Sequence, residues 1–342
     1  MILLAIETSC DETSASIIKD GFNVLSNITA TQNEFHEKYG GIVPEIASRK
    51  HIETINLVIK EAIEKASVNE KEIDAIAVTF GPGLPGSLLV GLSSAKAISL
   101  ALKKPLIAVN HLEGHIYANF LIPEFETLER KKDLFPFLCL IVSGGHTQLV
   151  KVNDHLKYET IGRTRDDAAG EAFDKVARFL NLGYPGGPII DKISKNSDEN
   201  AIDFKRPMIE EEYKYDFSFS GIKTAVVYFC KKMEKGKEKK VNKNDIAASF
   251  QKAVIDTLIE KTTKAAIEFG IKTIAIGGGV ASNSKLREEM QKLSSKLNIN
   301  CFIPPAWLCT DNAAMIGCAA YQKYKQNIFA DLSLDFDSTA RI

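Results

Sequence analysis

The residues best suited to chemistry are two histidines in Val109-Asn110-His111-Leu112-Glu113-Gly114-His115-Ile116-Tyr117. Side chains four apart share one face of a helix, because a turn takes about 3.6 residues. Two imidazoles at that spacing suit one divalent metal ion. Two ordinary polar helix residues have the same spacing, so placement has to decide. The pair follows a short apolar strand at 106–109, where α/β proteins keep ligand sites. In an HExxH metalloprotease the glutamate lies about 100° round the helix from the first histidine, whereas Glu113 lies about 200° round from His111. It is expected to point away from a metal. A third ligand is available in Cys309-Thr310-Asp311-Asn312-Ala313-Ala314. Thr310 or Asp311 would serve as a helix cap. If the last helix returns to the first lobe, Asp311 instead completes a site of two histidines and one aspartate, with positions open to substrate.

Two polar turns suit an anion. Thr8-Ser9-Cys10-Asp11-Glu12 and Ser143-Gly144-Gly145-His146 each join two apolar strands. Tight turns of Gly, Ser and Thr present N–H groups and hydroxyls to phosphate. Each alone reads as a hairpin turn, but their equivalent positions suggest a phosphate chain held between them, across a cleft. Gly277-Gly278-Gly279-Val280 ends a strand and precedes a helix with Asn283 near its start, so a flat ligand can approach the backbone there. Its spacing is not GxGxxG, which favours an adenosine pocket over a dinucleotide site. Beside the loop Gly183-Tyr184-Pro185-Gly186-Gly187-Pro188, the carboxylates Asp174 and Asp191 are candidates to bond ribose hydroxyls.

These groups need a scaffold, and the chain supplies one twice. Strands are predicted at 3–7, 13–18 and 22–28, a helix at 45–66, a strand at 73–80, a helix at 87–102 and the strand at 106–109. The order then recurs, with strands at 137–142, 147–152 and 157–161, helices at 167–180 and after 188, and a helix at 246–269. A strand at 273–276, a helix at 282–297, a strand at 301–303 and a final helix at 311–324 complete it. Three meander strands opening each half point to duplication. The polar stretch 196–243 interrupts the second half, and its end, 231–243, carries seven lysines against two glutamates. That is either a solvated edge or a flexible contact for a phosphate backbone.

The chain has 342 residues, which suggests about two domains, and 45% of them are apolar. A net charge of −1 supplies no global field to draw it onto nucleic acid or membrane, so a polyanion would be met by a local patch or another subunit. The six cysteines form no CxxC pair, as expected of reduced thiols in a cytoplasmic protein. No signal peptide is expected, and no apolar run is expected to span a bilayer.

Taken together, Ile6-Glu7-Thr8-Ser9-Cys10-Asp11-Glu12-Thr13, Gly81-Pro82-Gly83-Leu84, His111-Leu112-Glu113-Gly114-His115, Val142-Ser143-Gly144-Gly145-His146-Thr147, Asp167-Ala168-Ala169-Gly170-Glu171-Ala172-Phe173-Asp174-Lys175 and Gly277-Gly278-Gly279-Val280 resemble the TsaD family. Its members are tRNA N6-adenosine threonylcarbamoyltransferases, formerly classed as O-sialoglycoprotein endopeptidases. The resemblance runs from Met1 to about Tyr324 in family order, and the opening motif looks like the bacterial branch. It implies an α/β fold of the actin-like, Hsp70-like ATPase type. Two duplicated lobes would flank a ligand cleft: residues 1–112 with a returning segment at about 308–342, and residues 113–307. It implies an acyltransferase that moves the threonylcarbamoyl group of threonylcarbamoyl-AMP to N6 of adenosine 37, in tRNAs reading codons that start with A. It implies that His111, His115 and Asp311 hold one iron or zinc ion. Ile141, Val142, Ser143, Gly144, Gly145, Asp174, Gly187, Asp191 and Asn283 would line the adenylate, with Asp11 and Glu12 as catalytic or orienting groups. The expected partners are tRNA, TsaB and TsaE, with the adenylate supplied by a separate synthase.

Three other readings compete. A small-molecule kinase or ATPase on the same fold would use the phosphate turns without needing the histidine pair. A metalloprotease needs Glu113 at the metal. A nucleotide-dependent scaffold would bind ATP and leave tRNA unmodified.

Overall fold

The computed structural model describes residues 1–130, 132–207 and 211–342, and it divides into two compact units. The first opens with β1 (Ile2–Glu7), β2 (Glu12–Lys19) and β3 (Asn23–Thr31), then a short helix α1 (Asn33–Glu37) and the long α2 (Pro44–Ala66). Then come β4 (Ala75–Gly81), α3 (Pro85–Leu102), β5 (Leu106–Asn110), α4 (His111–Tyr117) and α5 (Pro123–Arg130). The second unit holds β6 (Phe137–Val142), β7 (Thr147–Asp154), β8 (Lys157–Arg163), α6 (Ala169–Phe179) and α7 (Gly186–Ser194). It continues with α8 (Ser220–Glu234), α9 (Lys243–Glu268), β9 (Thr273–Gly277), α10 (Ser284–Leu297) and β10 (Asn300–Phe302). The chain returns to the first unit with α11 (Ala306–Cys309) and α12 (Ala313–Lys325).

The duplication read from the strand pattern is present in the hydrogen bonding. One sheet has the order β3-β2-β1-β4-β5, and the other, from its far edge, β8-β7-β6-β9-β10. In each, the first strand pairs antiparallel with the second and parallel with the fourth. In each, the fourth strand pairs parallel with the fifth. The central strands β1, β4 and β6 are apolar on both faces, because helices cover both sides of a strand that forms parallel pairs. On one face of the first sheet, Leu4, Ile6, Ile76 and Val78 pack with Ile55, Val58 and Ile59 of α2 and Leu92 of α3. On the other face α12 lies so close that a Cβ on Gly317 would stand 2.6 Å from Ile18 Cγ2.

Several expectations change. The boundary placed at residue 112 falls after 134: the units are 1–134, 154–157 and 304–342 against 135–153 and 158–303. The physical reason is α4, which packs on α12, and the ring cluster Tyr117–Phe120–Phe125 carries residues 113–134 along with it. The loop read as 183–188 is already helical from Gly186. The polar insertion 196–243 contains α8, whose Ile222, Val226 and Cys230 are buried, so the lysine-rich stretch is the end of that helix and the turn after it. Residues 208–210 of the insertion lie outside the described residues. Among the described residues one helix, α3, passes as a membrane span by length and composition alone; Ser87, Leu88, Gly91, Leu92, Ala95 and Ser99 are its buried face, packed toward β4 and α2 as in a core helix. No disulfide joins any of the six cysteines.

Candidate metal centre

The histidine helix starts directly off β5. Asn110 caps it, its side chain accepting from Leu112 N at 2.8 Å, while Glu113 reaches back to accept from Asn110 N at 3.2 Å. This capping box fixes the first turn, where side-chain and backbone groups satisfy each other's open valences. Glu113 also pairs with Lys323 Nζ at 2.7 Å, so it is committed to the scaffold, away from the histidine face. The geometry a metalloprotease requires is not built.

His111 and His115 lie one above the other on the helix face, with ring centroids 4.6 Å apart. Asp311 meets them: its Oδ1 lies 3.5 Å from His111 Nε2 and 3.3 Å from His115 Nε2. The cap of α12 is Asn312, which accepts from Met315 N at 3.0 Å. Asp311 therefore stands one residue outside the helix, directed at the histidines. One ligand atom from each of the three residues lies within 4.8 Å of the others, the spacing of donors around a single ion.

The donors fit a divalent metal on a further observation. His115 is fully buried, yet Nδ1 has no hydrogen-bond partner among the described residues, and Nε2 makes no well-formed hydrogen bond, approaching only Asp311 Oδ1 at 3.3 Å. Buried polar nitrogens left unpaired cost about 1–3 kcal/mol each, and a bound cation would supply what Nε2 lacks. Burial is also the main reason the His115 pKa is lowered, so the ring is neutral as a ligand must be. His111 behaves oppositely. Burial would depress it, but the carboxylates of Asp311 and Glu7 outweigh burial and push it up to about 9.

Glu7, the last residue of β1, was not singled out from the sequence. It is fully buried, and its Oε2 lies 3.2 Å from His111 Nδ1. A signal was present: a lone carboxylate ends a strand that is otherwise apolar. Beyond it, Ser9 Oγ lies 3.1 Å from the same Nδ1, and Asp11 and Glu12 follow in the turn. Burial first, then the charges of Asp11 and Asp311, raise Glu12 well above the usual carboxylate range. A carboxyl so placed holds its proton more tightly than an exposed one, which suits it to proton transfer. The turn is buttressed by Gly81-Pro82-Gly83-Leu84: Leu84 N donates to Ser9 O at 2.8 Å, and a Cβ on Gly83 would fall 2.5 Å from that oxygen.

In the second unit, the turn after β6 has Ser143 N donating to His146 O and His146 N to Ser143 Oγ. Ile141 and Val142, which end β6, are buried, while Gly144 and Gly145 border open space. Gly278 has φ +95°, and a Cβ there would stand 2.4 Å from Val142 O, so only glycine lets the strand end approach the turn. Asp174, Gly187, Asp191 and Asn283 lie on α6, α7 and the start of α10. Asp174 accepts from Gly186 N at 2.8 Å. Asp191 accepts from Ser284 N and Oγ, and Asn283 caps α10 while donating to Gln251 Oε1 at 2.8 Å. Asp191 thus places a carboxylate at the N-terminus of α10, where the helix dipole favours negative charge. Gly187, like Gly144 and Gly145, borders open space.

A family model described as TsaD, tRNA N6-adenosine threonylcarbamoyltransferase, matches residues 23–318. A protein of Thermosipho africanus (strain TCF52B) bearing that enzyme name is 54% identical over 335 residues, 98% of each chain. Another, from Clostridioides difficile (strain 630), is 53% identical over 337 residues, 98% of this chain and 96% of its own. Among solved structures, component A of the Acidaminococcus fermentans (R)-2-hydroxyglutaryl-CoA dehydratase aligns with a TM-score of 0.55 at 18% identity, covering 95% of this chain and 99% of its own. The HypF protein of T. kodakarensis aligns with a TM-score of 0.62 at 15% identity, covering 96% of this chain and 48% of its own. These two likenesses concern the fold, and both belong with the actin-like ATPase architecture.

Proposed function

The chain belongs to the TsaD family of tRNA N6-adenosine threonylcarbamoyltransferases, and on that premise we propose how its own residues carry the reaction. It is an acyltransferase that forms N6-threonylcarbamoyladenosine in tRNA. In our reading the acyl donor is threonylcarbamoyl-AMP and the acceptor is N6 of adenosine 37, in tRNAs reading codons that start with A. His111, His115 and Asp311 hold one Fe2+ or Zn2+ ion. The observation that carries this assignment is the convergence of the three donors around a fully buried His115.

When bound, the metal supplies a Lewis acid for the acyl-phosphate oxygens. The adenine amine is a poor nucleophile, so positioning and electrostatics have to do most of the work. Ile141, Val142, Ser143, Gly144 and Gly145 receive the adenylate, with Asp174, Gly187, Asp191 and Asn283. The open flanks of Gly144, Gly145 and Gly187 support that role, since space stands beside their Cα atoms for a ligand to approach the backbone. For Asp191 and Asn283 the observed bonds favour an indirect part, shaping the pocket by holding α10. N6 attacks the carbamoyl carbon, the carbon–oxygen bond to phosphate breaks, and AMP leaves with the electron pair. One proton departs from N6, and Glu12, held high by burial and its acidic neighbours, is the group suited to receive it, with Asp11 orienting. No covalent enzyme intermediate is required. TsaB and TsaE are the expected protein partners, a separate enzyme makes the adenylate, and the setting is the cytoplasm.

The test is mass spectrometry of nucleosides from tRNA incubated with this chain, its partners, ATP, threonine and bicarbonate. Threonylcarbamoyladenosine should accumulate, and its absence from a competent mixture would refute the reading. A His111→Ala variant should lose both metal and product. Full activity at unchanged metal content would remove the metal assignment.

A further inference from the structure

Glu7 is a buried carboxylate for which the reaction as derived has no use. Its exposure is 0%, and among the described residues its only ion-pair partner is His111. Burying a carboxylate is expensive unless every oxygen is matched by a donor. Here each one is. Oε1 accepts from Ser9 N at 2.5 Å; Oε2 accepts from Thr79 Oγ1 at 2.5 Å and faces His111 Nδ1 at 3.2 Å. The two short bonds anchor the carboxylate from both sides, one from the turn after β1 and one from the neighbouring parallel strand β4. What remains is aimed at a single ring nitrogen.

We propose that Glu7 is the positioning residue of the metal centre: its anchored carboxylate holds the proton of His111 on Nδ1, so that Nε2 is the nitrogen presented with His115 and Asp311 to the cation. The inference rests on the metal assignment made above. An ionised carboxylate only accepts hydrogen bonds, so a ring nitrogen facing it has to carry the hydrogen. A metal-binding histidine is oriented in the same way when its other nitrogen donates to a carboxylate. Ser9 Oγ, 3.1 Å from Nδ1, is a hydroxyl and would accept either tautomer, so it cannot make the choice.

An amide at position 7 exposes the logic. In Glu7→Gln the amide oxygen has to stay on Ser9 N, because turning the amide over would set two N–H donors against each other at 2.5 Å. The amide NH2 then faces Thr79 Oγ1 and His111 Nδ1. The threonine hydroxyl can rotate and accept. The imidazole can accept only by moving its proton to Nε2, toward Asp311 and into the place of the metal.

The experiment uses the full chain with Zn2+ as the probe, titrated against a chromophoric chelator. Glu7→Gln should bind Zn2+ about 10–100-fold more weakly than the wild-type chain, the loss typical of an outer-shell partner. In parallel, ring-nitrogen NMR on histidine-labelled, metal-free protein, above pH 9 where His111 is neutral, reads the tautomer directly. The chain has six histidines, and His111→Asn assigns the resonance. The wild-type ring should carry its proton on Nδ1 and the Gln variant on Nε2. A wild-type proton on Nε2, or unchanged zinc affinity in a folded Gln variant, overturns the proposal. If Glu7→Gln does not fold, Glu7→Asp retains the charge and withdraws it by one methylene. It should weaken zinc binding in a chain that still melts cooperatively, and unchanged affinity again overturns the idea. A wild-type chain that takes up no zinc refutes the metal assignment, and the tautomer measurement on metal-free protein still decides the role of Glu7.

Discussion

Lowering the pH should weaken metal binding through one residue, His111, by an amount the structure sets. With its pKa pushed up to about 9 by Asp311 and Glu7, the ring is a cation at neutral pH in the metal-free chain. A metal entering at Nε2 must displace that proton. His115 does not compete, because burial holds its pKa below the usual value and the ring is already neutral. One proton is therefore exchanged for one ion. Apparent affinity should fall about tenfold for each pH unit below 9 and level off above it. Between pH 8 and pH 6.5 the loss is about 30-fold, or about 2 kcal/mol. Zinc competition titrations across pH 6.5–10 measure the slope, and calorimetry in buffers of different ionisation enthalpy counts the proton released. A flat profile between pH 6.5 and 8, or a slope of two protons, would refute the reasoning. The same shift predicts the stability of the metal-free chain. A folded pKa above the ordinary value of about 6.5 stabilises the protein fully below that pH, and the contribution is lost as pH rises through about 9. The metal-free melting temperature should decline over that window, whereas the zinc-loaded chain should not follow it.

Other perturbations separate the centre from its supports. Gly83→Ala places a methyl group 2.5 Å from Ser9 O and 2.8 Å from Ser9 Cβ; it should cost about 1–3 kcal/mol in a denaturant melt and weaken zinc binding by displacing the turn behind His111. Unchanged stability would show that the loop can yield. Glu113→Gln should leave zinc affinity within about twofold while lowering stability by about 1–3 kcal/mol, since the amide oxygen can keep the helix cap but Lys323 loses its buried carboxylate partner. A tenfold loss of affinity from this change would mean that Glu113 reaches the metal after all.

Much of this protein was legible in one dimension. The alternation of apolar strands with periodic helices was enough for two matched halves, because strand and helix periods differ and survive in the order of residues. The spacing of His111 and His115 put them on one face, and the angular position of Glu113 excluded it from that face, since helix geometry is local. The pairing of Asp311 with the histidines needed the return of α12 to the first unit. The sequence could offer Asp311 as a donor or as a cap, and only the packing, with Asn312 taking the cap, decided between them. Asp191 has a partner that no local spacing announces: it accepts from Ser284 Oγ at the N-terminus of α10, 93 residues away in the chain. Glu7 lies furthest from what a sequence reveals. Its partners Thr79 and His111 are 72 and 104 residues distant, and β1 meets them only because β4 pairs beside it in the sheet. The ligands were written in local spacing; the proton that selects the binding nitrogen was set by non-local hydrogen bonds, which no periodicity encodes.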